Sequence, residues 1–265
     1  MSEDRDVIEA IWSGSIPACF KLASHECTSL QNPEPFFAML PRISYLPLLW
    51  EKIQRHFAHF VTEESRSSPI WLEYNLVPLR WQYPIGLLFD LLGEKATLPW
   101  NITVHFNDFP VKEVLACPSR QVAEAQFLNS IKEADFLKTR KKVMNTMTQG
   151  ERRQMTAALH SLRTENFWAV NRKLMFTGEP WKHVPLRVFL SENCRQLQKL
   201  VGISNAENEP LTLREVLNDW IQEFSDERYE VLLHGVPAPL EAPLQWLGVN
   251  MSYADNFLYV VVRPK

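Results

Sequence analysis

The hydrophobic pattern of the N-terminal half predicts short strands arranged around one amphipathic helix. In that helix Leu49, Ile53 and Phe57 recur at helical spacing and form one apolar face. Shorter apolar runs bounded by turn residues predict strands on either side of it. The predicted elements are, in order, a helix over 4–12 with Asp4 as its N-cap, strands over 16–22 and 36–40, the helix over 48–61, strands over 71–74 and 79–81, a helix over 85–92 and a strand over 101–106.

The C-terminal half predicts the same order of elements. Its amphipathic helix begins after Thr212, where Thr212 and Glu215 have the spacing of a capping box. The strands expected around it lie over 184–190, 197–201, 229–233 and 257–262. The segment between the halves, 118–176, has helical periodicity with a break near Gly150 and matches nothing in either half.

One sequence motif occurs in both halves and indicates a duplication. Val77-Pro78 is followed by Pro84 six residues after the first proline, and Val236-Pro237 is followed in the same way by Pro243. In both copies a strand-like apolar run comes next. Two strand pairs around one helix, then a short helix and a last strand, is the order of a ubiquitin-like β-grasp domain.

We therefore predict an α+β protein in which two ubiquitin-like β-grasp domains flank a helix-rich domain, preceded by a short N-terminal helix. The repeated order of elements excludes an all-α fold and a doubly wound parallel sheet. The expected boundaries are 1–13 for the N-terminal helix, 14–117 for domain A, 118–182 for the helix-rich domain and 183–265 for domain B.

Composition narrows the class of protein. The net charge of −3 argues against a protein devoted to nucleic acid binding, although 132–153 carries a local excess of basic residues and 204–230 of acidic ones. No apolar run approaches the roughly 20 residues that cross a bilayer, and the acidic N-terminus lacks the apolar core of a signal peptide. We expect a cytoplasmic protein whose four cysteines are reduced.

Catalytic and cofactor motifs are missing from the sequence. It has no nucleophile elbow, no zinc-protease motif and no phosphate-binding loop, and its cysteines and histidines do not show zinc-ligand spacing. We therefore predict no cofactor, no metal and no catalytic residue. Cys117 is the one candidate for a thioester-forming thiol, and nothing in its sequence context would activate it. Because the sequence ends at Lys265 without a glycine, we do not expect a ubiquitin-like donor.

Several consecutive blocks of the sequence closely resemble the autophagy protein 5 family. They follow the order of that family over nearly the whole chain. The blocks are Tyr83–Leu92 with Leu98–Phe106, Lys132–Asp135, Phe167–Met175, and Pro243–Leu247 with Asp255–Leu258. The resemblance implies two ubiquitin-like domains around a helix-rich domain.

The resemblance also implies a function. Family members accept the C-terminal glycine of autophagy protein 12 on a lysine, through autophagy-specific activating and conjugating enzymes. The conjugate binds the N-terminal helix of autophagy protein 16 and acts as a ligase-like complex, which promotes lipidation of autophagy protein 8 family members on phagophore membranes. The chain itself is then a non-catalytic scaffold, found in the cytoplasm and peripherally on the preautophagosomal structure membrane.

The matching block places the acceptor at Lys132. On a helix Lys132 falls roughly 140° from Phe127, away from the apolar side, and is expected to be exposed. An amine must be neutral to attack a thioester, and almost all lysine is protonated near pH 7. Since nearby Glu133 and Asp135 would favour the protonated form, docking by the conjugating enzyme has to provide the activation.

Two further surfaces are predicted. A groove for the partner helix is expected at Arg42, Tyr83, Gly86, Leu87, Pro243 and Leu244. Gly86 is the strongest member, because a glycine inside a helix costs about 1 kcal/mol relative to alanine and needs a reason. Basic residues that would attract anionic lipid are Lys138, Arg140, Lys141, Lys142, Arg152 and Arg153.

Three classes of function stay open at this point. The first is the conjugated scaffold. The second is an adaptor with two ubiquitin-like domains that binds partners and carries no isopeptide bond. The third is a conjugating enzyme that uses Cys117.

Overall fold

The computed structural model describes residues 3–31, 33–93, 97–140, 143–192 and 194–265. The chain divides into two compact units. The first unit is formed by residues 14–124, and the second by the residues up to Ser13 together with 125–265.

Helix α1 (Arg5–Ser13) belongs to the second unit. Asp4 caps it as expected, because the Val7 amide donates to Asp4 Oδ1 at 3.3 Å. Its apolar face is buried, and the ring of Trp12 lies 4.9 Å from that of Phe167 between centroids. The predicted N-terminal helix is therefore confirmed, and it is packed rather than free.

The first unit contains a five-stranded sheet with a helix packed into its core. Its elements are β1 (Ser15–Leu22), β2 (Phe36–Pro41), α2 (Trp50–Phe57), α3 (Glu63–Arg66), β3 (Trp71–Tyr74), β4 (Val77–Pro78), α4 (Ile85–Leu92) and β5 (Trp100–His105). The strand order is β2-β1-β5-β3-β4, with β1 parallel to β5 and the other pairs antiparallel. Ile53 and Phe57 of α2 join the buried cluster that lines the sheet.

Two expectations for this unit need correction. The helix predicted over 48–61 is α2 flanked by 3-10 turns at Leu46–Leu49 and Ala58–Phe60. The strand predicted over 79–81 is wrong, since the paired strand is β4. Asn75 and Leu76 both adopt positive φ, 49° and 64°, so the chain reverses within two residues and pairing begins earlier.

The second unit repeats the same sheet after a group of helices. From the connecting helix onward its elements are α5 (Arg120–Thr139), α6 (Val143–Thr146), α7 (Gln149–Ser161), α8 (Thr164–Met175), β6 (Leu186–Leu190), β7 (Arg195–Leu197), α9 (Leu213–Trp220), β8 (Tyr229–Leu233), β9 (Val236–Pro237), α10 (Leu244–Asn250) and β10 (Leu258–Pro264). Its strand order, β7-β6-β10-β8-β9, corresponds position by position to that of the first sheet. The predicted fold class is confirmed.

Helix ends in this unit follow the local sequence. The capping box predicted at Thr212 is present, with Thr212 and Glu215 bonded to each other's backbone amides. The helical break lies before α7, where Thr148 forms a second capping box, so Gly150 is inside the helix rather than at the break. The strand predicted over 197–201 lies earlier, at β7.

Candidate functional site

Helix α5 carries two lysines in opposite environments. Lys132 is exposed, as its position on the helix predicted, and Lys138 is fully buried at 0% exposure. Among the described residues Lys132 has no hydrogen bond or ion pair. An amine that must reach a partner's thioester needs this kind of freedom, so the structure leaves Lys132 available.

The helix turn that carries Lys132 is fixed against the second sheet. Arg187 Nη2 donates to both carboxylate oxygens of Glu133 at 2.9 Å. The side-chain amide of Gln198 also donates to Glu133 Oε1, at 3.1 Å. The Arg187 guanidinium lies 3.7 Å from the centre of the Phe257 ring. Because Arg187 is on β6 and Phe257 precedes β10, one charged cluster ties the helix to two neighbouring strands.

The acids beside Lys132 are both engaged elsewhere. Glu133 is paired with Arg187. Asp135 is buried, and its Oδ2 accepts a hydrogen bond from the Met144 amide at 2.8 Å. These contacts give both carboxylates structural roles in the second unit.

Lys138 is an anchor inside the second unit. Its Nζ donates to Asn256 Oδ1 at 3.2 Å, and Asn256 in turn donates to Asn171 on α8 at 2.8 Å. The ammonium lies 5.2 Å from the Trp181 ring centre. Burial lowers the pKa of Lys138 to about 7, against a raising effect of Asp135.

The predicted lipid-contacting residues are only partly available. Lys138 was wrongly assigned to that surface, because its whole side chain lies in the core. Arg140 and Arg153 are exposed, whereas Arg152 is half-buried and donates to the Met144 carbonyl at 3.0 Å. Lys141 and Lys142 lie outside the described residues.

In the first unit, Arg42 and Gly86 are direct neighbours. The Gly86 amide donates to the Arg42 carbonyl at 2.8 Å, and Arg42 Nη2 donates back to the Gly86 carbonyl at 3.3 Å. The same guanidinium is paired with Asp90 one turn along α4. The Arg42 side chain is only 12% exposed, so it is first of all a structural residue.

The other predicted groove residues differ in exposure. Tyr83 and Pro243 are half-buried, whereas Leu87 and Leu244 are 1% and 0% exposed. The prediction that the side chains of Leu87 and Leu244 contact a partner helix directly is therefore wrong. Both side chains pack in the core and can only support the surface above them. The groove itself stays a prediction. Within their own units, Tyr83 and Pro243 keep more exposed surface than the two leucines do.

The second copy of the motif shows what is special about Gly86. Pro84 and Pro243 are the N-caps of α4 and α10, so Gln245 occupies the place in its helix that Gly86 occupies in the first copy. Since Gln245 fits there, helix geometry alone does not require glycine at this position. The requirement has to come from the surroundings of Gly86, which is buried.

Cys117 does not have the environment of a catalytic thiol. It is 2% exposed and donates to the Ser119 carbonyl at 3.4 Å. Burial raises the pKa of Cys117 to about 11, which disfavours the thiolate that thioester formation requires. The structure therefore gives no support to the interpretation of the chain as a conjugating enzyme that uses Cys117.

None of the helices in the described ranges has the length and apolar character that crossing a membrane would require.

Two β-grasp sheets of identical strand order, with helices between them in the sequence, define a protein with tandem ubiquitin-like domains. Comparison with known families agrees with this class. The family model described as Autophagy protein ATG5, UblA domain, matches residues 11–106, the corresponding alpha-helical bundle region matches 120–177 and the UblB domain matches 183–262.

Curated relatives match this chain over nearly their whole length. The chain is 34% identical to Autophagy protein 5 of Drosophila melanogaster, covering 100% of this chain and 99% of the relative. It is 31% identical to Autophagy-related protein 5 of Caenorhabditis elegans, with 98% of each covered. The chain therefore belongs to the autophagy protein 5 family.

A solved structure supports the fold independently. The crystal structure of Kluyveromyces marxianus Atg5 superimposes with a TM-score of 0.86 over 97% of this chain and 99% of that chain, at 23% identity. At that identity the likeness concerns the fold alone.

Proposed function

We propose that this chain is the conjugated scaffold of an autophagy ligase-like complex. Lys132 accepts the C-terminal glycine of autophagy protein 12 in an isopeptide bond. The conjugate then binds the N-terminal helix of autophagy protein 16 and promotes lipidation of autophagy protein 8 family members on phagophore membranes. The observation that carries the proposal is an exposed lysine, without a polar partner in the described ranges, on a fixed helix in a member of this family.

The proposed chemistry needs little from this chain. The neutral Lys132 amine attacks the thioester carbonyl held by the conjugating enzyme, the C–N bond forms, and the C–S bond breaks to release the enzyme thiol. The lysine proton leaves to solvent or to a base of that enzyme. The Glu133–Arg187 pair fixes the part of α5 from which the Lys132 side chain extends. Docking of the conjugating enzyme, rather than a catalytic group of this chain, would then supply the rate enhancement.

Accessibility distinguishes the two lysines of α5. Lys138, with its lowered pKa, has more neutral amine near pH 7, but no enzyme can reach it without unfolding the core. Lys132 is the one that a conjugating enzyme can approach. We therefore expect conjugation to follow exposure rather than intrinsic reactivity.

The acceptor is tested by Lys132→Arg in cells that lack the endogenous protein. We expect the shifted conjugate band to disappear while the free protein remains at its normal level. Lys199→Arg is the matched control, since Lys199 is an exposed lysine of the same unit, and it should conjugate normally. A conjugate band that persists in Lys132→Arg overturns the assignment, and the absence of any conjugate in the wild type favours the unconjugated adaptor.

The partner-helix groove is tested by Gly86→Asp. We expect loss of binding to the N-terminal helix of autophagy protein 16 with the conjugate band retained. Because Gly86 is buried, a thermal melt must show that the variant is folded. Gln245→Asp, at the corresponding place of the second copy, is the control for adding a charge near a helix start. Unchanged partner affinity in folded Gly86→Asp would exclude Gly86 from the groove.

Contact with the membrane is tested through the exposed basic residues. Reversing Arg140 and Arg153 to glutamate should reduce flotation with liposomes that contain acidic lipid and leave neutral liposomes unaffected. Arg80→Glu is the control, because Arg80 is exposed but lies in the other unit. Equal flotation of all three proteins would remove this surface from the proposal.

A further inference from the structure

Two histidines and two glutamates that are distant in the sequence come together in the first unit. His25 and Glu26 lie in the 3-10 turn Ser24–Glu26 that follows β1, Glu73 is on β3, and His105 ends β5. One donor atom from each of His25, Glu26 and His105 lies within 4.8 Å of the others. The spacing of these residues in the sequence gave no sign of a shared site.

Glu26 is held so that one of its oxygens is left for something else. The residue is 7% exposed, and its Oε2 accepts the Phe106 amide at 2.7 Å and the Asn107 side chain at 3.2 Å. Its Oε1 is buried and accepts no well-formed hydrogen bond from any residue that the structure describes. A buried carboxylate oxygen that accepts no well-formed hydrogen bond is costly and calls for an explanation.

That oxygen faces the two imidazoles. Glu26 Oε1 lies 3.3 Å from His105 Nδ1 and 3.8 Å from His25 Nε2. Two ligands of a tetrahedral zinc ion, at bond lengths of 2.0–2.1 Å, are separated by about 3.3 Å. The His25 nitrogen would have to move closer to the other two donor atoms, and its side chain is 67% exposed, which allows such a movement.

His105 is oriented as metal-bound histidines usually are. Its ring stacks on Trp71 at 3.9 Å between centroids and 10° between planes, and its Nε2 lies 3.4 Å from Glu73 Oε2. A histidine that binds a metal through one nitrogen commonly directs the other towards a carboxylate, which fixes its tautomer.

We propose that this cluster is a binding site for one divalent ion of the zinc class, with His25 Nε2, Glu26 Oε1 and His105 Nδ1 as ligands and Glu73 as the outer carboxylate. Two imidazole nitrogens and one carboxylate oxygen suit Zn²⁺, whereas Mg²⁺ and Ca²⁺ take oxygen ligands. A fourth position remains for water on the exposed side, where His25 also offers the entry path. The rival interpretation is a protonated His105 that pairs with the two glutamates and needs no ion.

The test uses the full-length chain with its affinity tag removed, stripped with a chelator and titrated with Zn²⁺ against a chromophoric competitor. We expect one equivalent to bind and to raise the melting temperature. His25→Ala should weaken binding more than tenfold without unfolding the protein, because His25 is exposed. Glu73→Gln should weaken it by about 10- to 100-fold, as outer-shell changes do. His59→Ala is the matched control, an exposed histidine of the same unit, and should bind as the wild type does.

Two further measurements make the outcome decisive. Co²⁺ bound in place of Zn²⁺ should give the visible absorption of a tetrahedral nitrogen and oxygen site in the wild type, and His25→Ala should lose it. A tenfold excess of Mg²⁺ should not displace the bound zinc. If the wild type binds no stoichiometric zinc, or if His25→Ala and His59→Ala bind it equally well, the cluster is an ion-pair network and the proposal is wrong.

Discussion

Replacing Lys138 with methionine should make the stability of the second unit less dependent on pH. Methionine keeps most of the length and apolar character of the lysine stem but cannot ionise. Burial lowers the pKa of Lys138 to about 7, whereas a lysine in an unfolded chain titrates near about 10.4. Between these values the unfolded state binds more protons than the folded state, so the wild type gains stability as the pH rises.

The size of the effect follows from the two pKa values. Each pH unit within the interval is worth up to about 1.4 kcal/mol, so raising the pH from about 7 to about 9 should stabilise the wild type by about 2 kcal/mol relative to Lys138→Met. Below about pH 7 the difference should become constant, because both states are then protonated. The variant also leaves Asn256 Oδ1 without its donor, a cost of about 1–3 kcal/mol that does not change with pH.

Urea denaturation at pH 7, 8 and 9, followed by circular dichroism and tryptophan fluorescence, measures the difference directly. Subtracting the variant from the wild type removes the contributions of all other titrating groups. Lys132→Met is the matched control, because Lys132 lies on the same helix with its side chain exposed, and it should track the wild type. If the wild type and Lys138→Met show parallel stability over this range, the lysine does not change its protonation on folding in the way argued here.

Three other substitutions test the packing and the helix ends. Gly248→Ala should destabilise the second unit by about 1–3 kcal/mol in a thermal melt, because the new Cβ would lie 2.9 Å from Trp181; an unchanged melting temperature would mean that the indole moves aside. Asp90→Ala should cost the first unit about 3–5 kcal/mol in urea, since it leaves the Arg42 guanidinium buried without its main partner; a loss below 1 kcal/mol would argue against a buried pair. Thr212→Ala should cost about 1 kcal/mol through its cap, and a urea midpoint equal to that of the wild type would contradict this.

The sequence was sufficient for the elements whose determinants are local. The capping box at Thr212, the limits of α4 and the exposure of Lys132 all follow from neighbouring residues and helical spacing. The position of β4 was missed, because it depends on the positive φ of Asn75 and Leu76 in a tight turn, and neither residue is a glycine. The periodicity of hydrophobic residues indicates which face of a helix or strand is buried, but it does not reveal where a tight turn begins.

The buried polar residues were the least predictable part of the candidate sites. Lys138 was assigned to the surface as part of a group of basic residues. Its partners Asn256 and Trp181 are far from it in the sequence, so no local pattern indicated its burial. Asp90 did leave a signal, since a single acid inside an apolar run implies a buried partner, but only the fold identifies that partner as Arg42. The partners of buried polar side chains are set by tertiary contacts, which the spacing of residues in the sequence does not predict.

The two lysines of α5 show how one helix serves packing and presentation together. Six residues separate them, which turns their directions about 120° apart around the helix axis. Lys138 is held in the core through Asn256, while the Glu133 pairing with Arg187 fixes the turn beside Lys132 to the sheet. A helix anchored at both places has little freedom to roll, so the backbone that carries Lys132 is fixed while its exposed side chain stays free to reach a partner. Under the proposed function, that restriction would select one lysine among many on the surface, although its chemistry is the same as that of the others.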